Sequence, residues 1–316
     1  MKKFLKNLVA ISTLTTAGVH VANCMIENSA TQKSILTTRN GHYYHWKYGD
    51  IFYTKEGSGS PVLLIHNLTP DSSGYEWVKI KHLLTKEHTL YTIDLIGCGR
   101  SDKPFMTYTN YLYVQLLHDF TKDIIKKKTN VIVSGTSSSF TIMSNLMNEE
   151  QFGKIILVNP SGVKDNASLN SKVSPVSKVI MKCPVYGTYL YNVLMRKSSI
   201  EDQCSNSYCA KQYIVTPNMI DAYYESAHLK QSKGRYLFAS IYGQYTNVDI
   251  SKALTIIENP VFIIESESRQ EEDTVLKQYQ KLNPSISGTV IRQTECLPHM
   301  EAPKKTFDAI RSFLND

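Results

Sequence analysis

Seven short apolar runs, set apart by helix-length amphipathic segments, constrain this chain more than any other feature. They read GDIFYTKEG (49–57), PVLLIHN (61–67), HTLYTIDLIG (88–97), TNVIVSGTS (129–137), KIILVNPSG (154–162), NPVFIIESES (259–268) and GTVIRQT (288–294). A strand covered on both faces is apolar at nearly every position, whereas a strand with one solvated face alternates. Cores such as VLLI, IILV and VFII therefore predict buried, mostly parallel strands. Parallel neighbours need a crossover of a dozen residues or more, and segments such as Tyr111 to Lys127 and Phe140 to Glu150 are long enough to be those crossover helices. The expected fold class is α/β, a doubly wound and mostly parallel sheet.

One interval breaks this rhythm. From Val163 to Asp249 no buried strand is legible, while helical runs, Pro175, Pro184 and half of the chain's 20 tyrosines fall there. A helical cap inserted over the C-terminal edge of the sheet would lie where open α/β folds bind ligands. Its tyrosines either line an apolar pocket for a small molecule or pack the insertion's own core. The expected organisation is thus an N-terminal segment (1–30), a first part of the core (40–162), the cap (163–249) and a last part of the core (250–316). With 42% hydrophobic residues in 316, one large core carrying an insertion is well supplied.

The formal net charge of +7 comes from scattered lysines, with no helix-turn-helix, zinc-finger or RNA-binding signature. It reads as a basic surface or as attraction to anionic lipid, and nucleic acid is not expected as a partner. Cys24, Cys98, Cys183, Cys204, Cys209 and Cys296 form no CxxC pair and have no histidine at ligand spacing, so neither a metal nor an organic cofactor is called for. Thiols are the default, and a Cys204–Cys209 disulfide is the alternative in an oxidising compartment.

At the N-terminus Lys2, Lys3 and Lys6 precede a charge-free run from Asn7 to Ile26, about as long as a bilayer-spanning helix requires. Thr13, Thr15, Thr16, His20 and two asparagines dilute its apolar character. No A-x-A cleavage site follows, and VANC lacks the small residue a lipoprotein cysteine needs before it. The expectation is an uncleaved membrane anchor or interfacial helix across residues 7–26, in preference to a secreted soluble form. If it spans, the positive-inside tendency places the main domain outside the cytoplasm.

The segment VIVSGTSSSFTIM reads as strand, tight turn and helix. At the turn, Gly135-Thr136-Ser137-Ser138-Ser139 fits a G-x-S-x-G frame with serine in the last place. That frame has a steric origin: a nucleophile on a strained bend needs small neighbours two residues away. Together with PVLLIHNLTPDSSGYEW, YTIDLIGCGRSDKP, NPVFII and LPHMEAP…IRSFL, the chain from Tyr43 to Asp316 resembles the α/β-hydrolase superfamily, whose members carry a cap. The resemblance implies Ser137 as nucleophile and the N–H groups of Leu68 and Ser138 as the oxyanion hole. It implies His66 as a loop-structuring residue, and Asn67 in place of a glycine, where asparagine tolerates positive φ. Asp94, Gly97, Gly99, Arg100 and Ser101 would shape the neighbouring loop.

The rest of the triad departs from the pattern. The resemblance puts Arg269 where the family has its acid, leaving Glu267 as the nearest candidate, and puts Cys296 where the family has its histidine. His299, three residues on, matches a histidine with no catalytic part and is the fallback base. A guanidinium cannot stabilise an imidazolium, and a thiol near its ordinary pKa of about 8.5 is a poor general base for a serine. Two functions follow: a serine hydrolase of small apolar esters with a non-standard site, or a membrane-tethered protein of this fold that binds without turnover. A redox role for Cys296 is a third reading.

Overall fold

The computed structural model describes residues 2–163, 179, 181–267 and 274–315. Each of the seven runs contributes a strand, and an eighth precedes them: β1 (Gly41–Trp46), β2 (Gly49–Gly57), β3 (Ser60–Ile65), β4 (His88–Ile93), β5 (Thr129–Ser134), β6 (Phe152–Val158), β7 (Val261–Ser266) and β8 (Ser287–Ile291). They form one sheet in the order β1-β2-β4-β3-β5-β6-β7-β8. β2 runs antiparallel to both β1 and β4, and the remaining pairs are parallel. β1 has no apolar run because it is an edge strand with mostly exposed side chains.

The chain's helices, in order, are α1 (Lys2–Thr31), α2 (Val78–Leu84), α3 (Asn110–Phe120), α4 (Ser137–Met147), α5 (Tyr186–Leu194), α6 (Lys197–Gln203), α7 (Pro217–Ser232), α8 (Arg235–Tyr242), α9 (Ser251–Ile256), α10 (Val275–Leu282), α11 (Pro298–Glu301) and α12 (Pro303–Asn315). Strand side chains alternate between two layers. Leu63, Ile65, Val131, Val133 and Leu157 pack with α3, α4 and α9. Val62, Leu64, Ile132 and Ile156 pack with Trp77, α2 and α12.

Helices α5 to α8 lie between β6 and β7. Tyr191 is fully buried there and donates its hydroxyl to Ala227 O at 2.9 Å, packing the insertion's own interior. Cys204 and Cys209 remain unbridged, contrary to the disulfide alternative, and burial pushes both thiols up to about 12. α1 is long and apolar enough to cross a membrane, with only 6% of its most apolar stretch buried. Its one contact face touches the insertion: Asn23 Nδ2 donates to Val185 O (2.9 Å), Asn192 Nδ2 donates to Asn23 Oδ1 (3.0 Å), and Thr16 Oγ1 lies 2.7 Å from the Tyr186 hydroxyl.

The loops above the sheet are fixed by Asp94, at the end of β4 and fully buried. Its Oδ1 accepts from Gly74 N (2.7 Å) and Arg100 Nη2 (2.9 Å), and its Oδ2 accepts from Arg100 N (2.9 Å) and Nε (2.7 Å). Burial alone would raise this carboxyl, but the Arg100 guanidinium outweighs it and holds Asp94 below the usual carboxylate range. Removing one partner of a buried ion pair leaves an uncompensated charge, so Asp94→Ala is expected to cost about 3–5 kcal/mol. A depressed folded-state pKa contributes stability that is complete above the unfolded value of about 3.9 and is lost as pH falls through the folded one. Chemical denaturation of the detergent-solubilised chain from pH 7 to pH 2 should therefore show a shallower acid limb in Asp94→Asn than in wild type.

Candidate active site

Between β5 and α4 the chain turns sharply, and the residue at the bend is Gly135, with φ of +59°. Only glycine adopts such a backbone without strain. A Cβ at Gly135 would fall 2.3 Å from Asn67 Oδ1 and 2.6 Å from its Cγ, so the space a side chain would fill is occupied by the Asn67 carboxamide. That oxygen is held by three donors: Leu68 N at 2.9 Å, Thr136 N at 3.0 Å and Thr136 Oγ1 at 3.0 Å.

In a strand–nucleophile–helix elbow, the oxyanion hole is the N–H of the residue after the nucleophile together with an N–H from the loop after β3. The two N–H groups converging here belong to Thr136 and Leu68, so the nucleophile's place on the bend is Gly135. The structure thus moves the serine frame two residues upstream, to Val133–Ser137. Ser137 is the first residue of α4, is 0% exposed, and its Oγ donates to His66 O at 2.7 Å. Ser138 N–H donates to Gly135 O at 3.2 Å, within the turn, and does not point into the hole. Leu68 N–H donates to Asn67 Oδ1 at the same spot as Thr136 N–H.

Asn67 does not take a positive φ. Its loop is shaped by neighbours instead: Leu95 N donates to His66 Nε2 at 3.0 Å, which leaves the His66 proton on Nδ1, 2.7 Å from Asn67 O. Burial pushes the His66 pKa down, keeping the ring neutral. Asn67 N donates to Glu76 Oε2 at 3.0 Å.

Of the remaining expected site residues, His299 and Glu267 do not line the cavity at Gly135. His299 is the second residue of α11, has no exposed surface, stacks on Trp77 at 4.3 Å between ring centres, and places Nε2 3.2 Å from Glu76 Oε1. Burial alone would raise Glu76, but His299, Ser134 and His66 outweigh it and hold the carboxyl below its usual range. Glu267 lies on the β7–β8 side, where its Oε2 accepts from Gln293 N at 2.9 Å and Oε1 lies 3.7 Å from Arg292 Nε. Arg269 lies outside the described residues. Cys296 is half-buried and does line the site cavity with Gly135, Asn67, Thr136 and Glu76.

Sequence reasoning passed over two carboxylates in the loop 67–77. Besides Glu76, Asp71 is 2% exposed, and burial raises its pKa. Acidic residues inside a stretch that ends in a buried tryptophan were the available signal. The cavity itself is about 120 Å³, and Tyr208 and Tyr223 line it from the insertion. That is well below the roughly 300 Å³ a drug-sized ligand occupies.

The fit of Asn67 to Gly135 is measurable. Gly135→Ala combines a left-handed backbone with the Asn67 overlap and should cost about 1–3 kcal/mol. Asn67→Gly removes the overlap, so a double-mutant cycle read by denaturation should return a coupling of about 0.5–3 kcal/mol, whereas independent sites would add.

No family model matches the chain. Proline iminopeptidase of Heyndrickxia coagulans is 23% identical over 294 residues, covering 83% of this chain and 93% of the peptidase. Other curated relatives match over only 33 to 39% of their own length. Among solved structures, the epoxide hydrolase CorEH superposes with a TM-score of 0.72 at 17% identity, over 87% of this chain and 98% of its own. A membrane phospholipase A described as a bacterial virulence factor superposes with a TM-score of 0.69 at 16% identity, over 100% of this chain and 98% of its own. Both superpositions run nearly end to end on a sheet of this strand order with the elbow after β5, and the chain has the α/β-hydrolase fold.

Proposed function

We propose that this chain is a membrane-anchored protein of the α/β-hydrolase fold that holds the carbonyl or carboxylate end of a small apolar ligand under a helical cap, without forming an acyl-enzyme. The observation carrying this reading is the Asn67 oxygen seated between Leu68 N, Thr136 N and Thr136 Oγ1 beside a glycine elbow. A hole preorganised for a developing oxyanion is also a site for a ligand carbonyl or carboxylate once the Asn67 carboxamide swings away. A glycine elbow offers that ligand no nucleophile. The oxyanion hole alone gives an acyl-transfer enzyme only residual catalysis, and here it is occupied.

The cap part of the reading rests on Tyr208 and Tyr223, which line the cavity from the insertion. The membrane part rests on the length and apolar character of α1, on its contacts with the insertion, and on the phospholipase likeness, which extends across this helix as well. Removal of α1 as a signal would strip Asn23, 6% exposed, from its two partners.

A second reading, hydrolysis through Ser137, is favoured by the peptidase, epoxide hydrolase and phospholipase activities named for the similar proteins. A fluorophosphonate probe separates the two. On the binding reading, full-length wild type in detergent stays unlabelled, and a variant carrying Asn67→Gly, Gly135→Ser and Cys296→His gains labelling. Wild-type labelling that Ser137→Ala abolishes would establish the hydrolase reading instead.

A further inference from the structure

A second cavity, of about 320 Å³, lies between α1 and the insertion, well apart from Gly135. It is lined by His20, Asn23 and Glu27 of α1 and by Ser232, Lys233 and Arg235. Arg235 is only 5% exposed. Its Nη2 donates to the Tyr236 hydroxyl at 2.6 Å, its Nη1 reaches Ser232 O at 3.4 Å, and its Nε has no partner. No ion pair joins it to a carboxylate among the described residues. Glu27, the one carboxylate lining the cavity, is turned to Gln231 N at 2.7 Å. The Ser232 hydroxyl is also buried without a partner.

A desolvated guanidinium is stable when a counter-charge and hydrogen-bond acceptors accompany it. Here the protein supplies neither to Nε, yet gathers a second cation, Lys233, and an unused hydroxyl around the same space. We infer that this cavity is an anion site and that its ligand is a phosphate group. A guanidinium fork, an ammonium and a hydroxyl match the several oxygens of a tetrahedral oxyanion, and the volume exceeds what a halide fills. The phosphate is either free or the headgroup of a lipid. The headgroup source fits the location, since the cavity abuts α1 within two helical turns of Thr16, near where the helix leaves the insertion. This site stands whether or not the Gly135 cavity turns over a substrate.

The test uses the full-length chain in a phosphate-free, non-ionic detergent and follows thermal unfolding. The ligands are inorganic phosphate, dihexanoyl phosphatidic acid and, as a zwitterionic control, dihexanoyl phosphatidylcholine, with chloride at matched ionic strength. A saturable rise in melting temperature with inorganic phosphate and phosphatidic acid alike assigns the site to phosphate in general; a rise with phosphatidic acid alone assigns it to a lipid headgroup. In either case Arg235→Met abolishes the shift while melting at or above ligand-free wild type, because it removes an unpaired buried charge. Arg235→Lys keeps the charge but loses the fork, and should weaken binding about tenfold. The inference is overturned if chloride or phosphatidylcholine stabilises equally, if no ligand stabilises, or if Arg235→Met keeps the wild-type shift. It is also overturned if Arg235→Met and Arg235→Lys both melt well below ligand-free wild type, because Arg235 is then a structural residue.

Discussion

The Asp94 carboxylate is the constraint from which the upper surface of this molecule follows. It is fully buried, and its four donors come from two loops: one from Gly74 in the loop after β3, and three from Arg100 in the loop after β4. Arg100 in turn donates Nη1 to Leu36 O, and Ser101 Oγ both donates to Asp94 O and accepts from Phe52 N on β2. Two loops, an inner strand and the segment that follows α1 are thereby linked through Asp94, by its carboxyl group and its backbone carbonyl, and through Arg100 and Ser101. A buried charge is tolerated when it is paired and its lone pairs are used, and this one meets both conditions.

With the loops so held, the Leu68 and Thr136 N–H groups point at one spot whether or not chemistry occurs there. Thr136 is exposed, while the Leu68 N–H is buried and requires an acceptor. Asn67 supplies it from within the chain, and Gly135 gives it room. On the binding reading, an incoming ligand displaces an oxygen that already holds three donors. At about 0.5–1.5 kcal/mol net for each hydrogen bond, such an internal competitor would lower apparent affinity by about one to three orders of magnitude. Glu76 adds to it, since its Oε2 holds the Asn67 backbone N–H while His299 sits 3.2 Å from its Oε1. In this fold the C-terminal histidine loop ordinarily bears on a nucleophile; here His299 bears on the residue that holds the hole's occupant in place.

The sheet was legible because burial on both faces leaves apolar runs, and seven of its strands carry one. β1 was not, because an exposed edge strand of tyrosines and histidines has no such run. The elbow was legible as a place but not in register. From Ser134 to Ser139 every residue is small, so several frames satisfy the steric pattern, and only the backbone reveals which residue takes the positive φ. The informative sign was that Gly135 alone in that stretch adopts a left-handed conformation freely. Asn67 was misread for a related reason. Asparagine in place of glycine suggests a tolerance of positive φ, whereas its consequence here is a side chain that must be housed, and the space left by Gly135 houses it.

The same contacts tie the two tyrosines of the small cavity's wall to the core. Tyr223 belongs to α7, which is tied to the core at Ser226: its Oγ donates to Ser72 O at 2.8 Å and accepts from Gly99 N at 3.2 Å, and Lys103 Nζ donates to its carbonyl at 2.6 Å. Beside it, Glu225 Oε2 accepts the Ile35 N–H at 2.6 Å, and further up the helix Asp221 is flanked by Lys33 and Lys197. Tyr208 sits on the short turn Cys204–Tyr208, which the core holds through Ala210 N donating to Glu301 Oε2 at 2.7 Å and through the Tyr208 hydroxyl, hydrogen-bonded to the side chains of Asp71 and Thr69. Moving α7 breaks a buried network that also binds the segment after α1. Moving the Tyr208 turn strips a partner from the buried Asp71 carboxyl, so both tyrosines of the cavity wall are tied to the loop 67–77 or to the core beneath it.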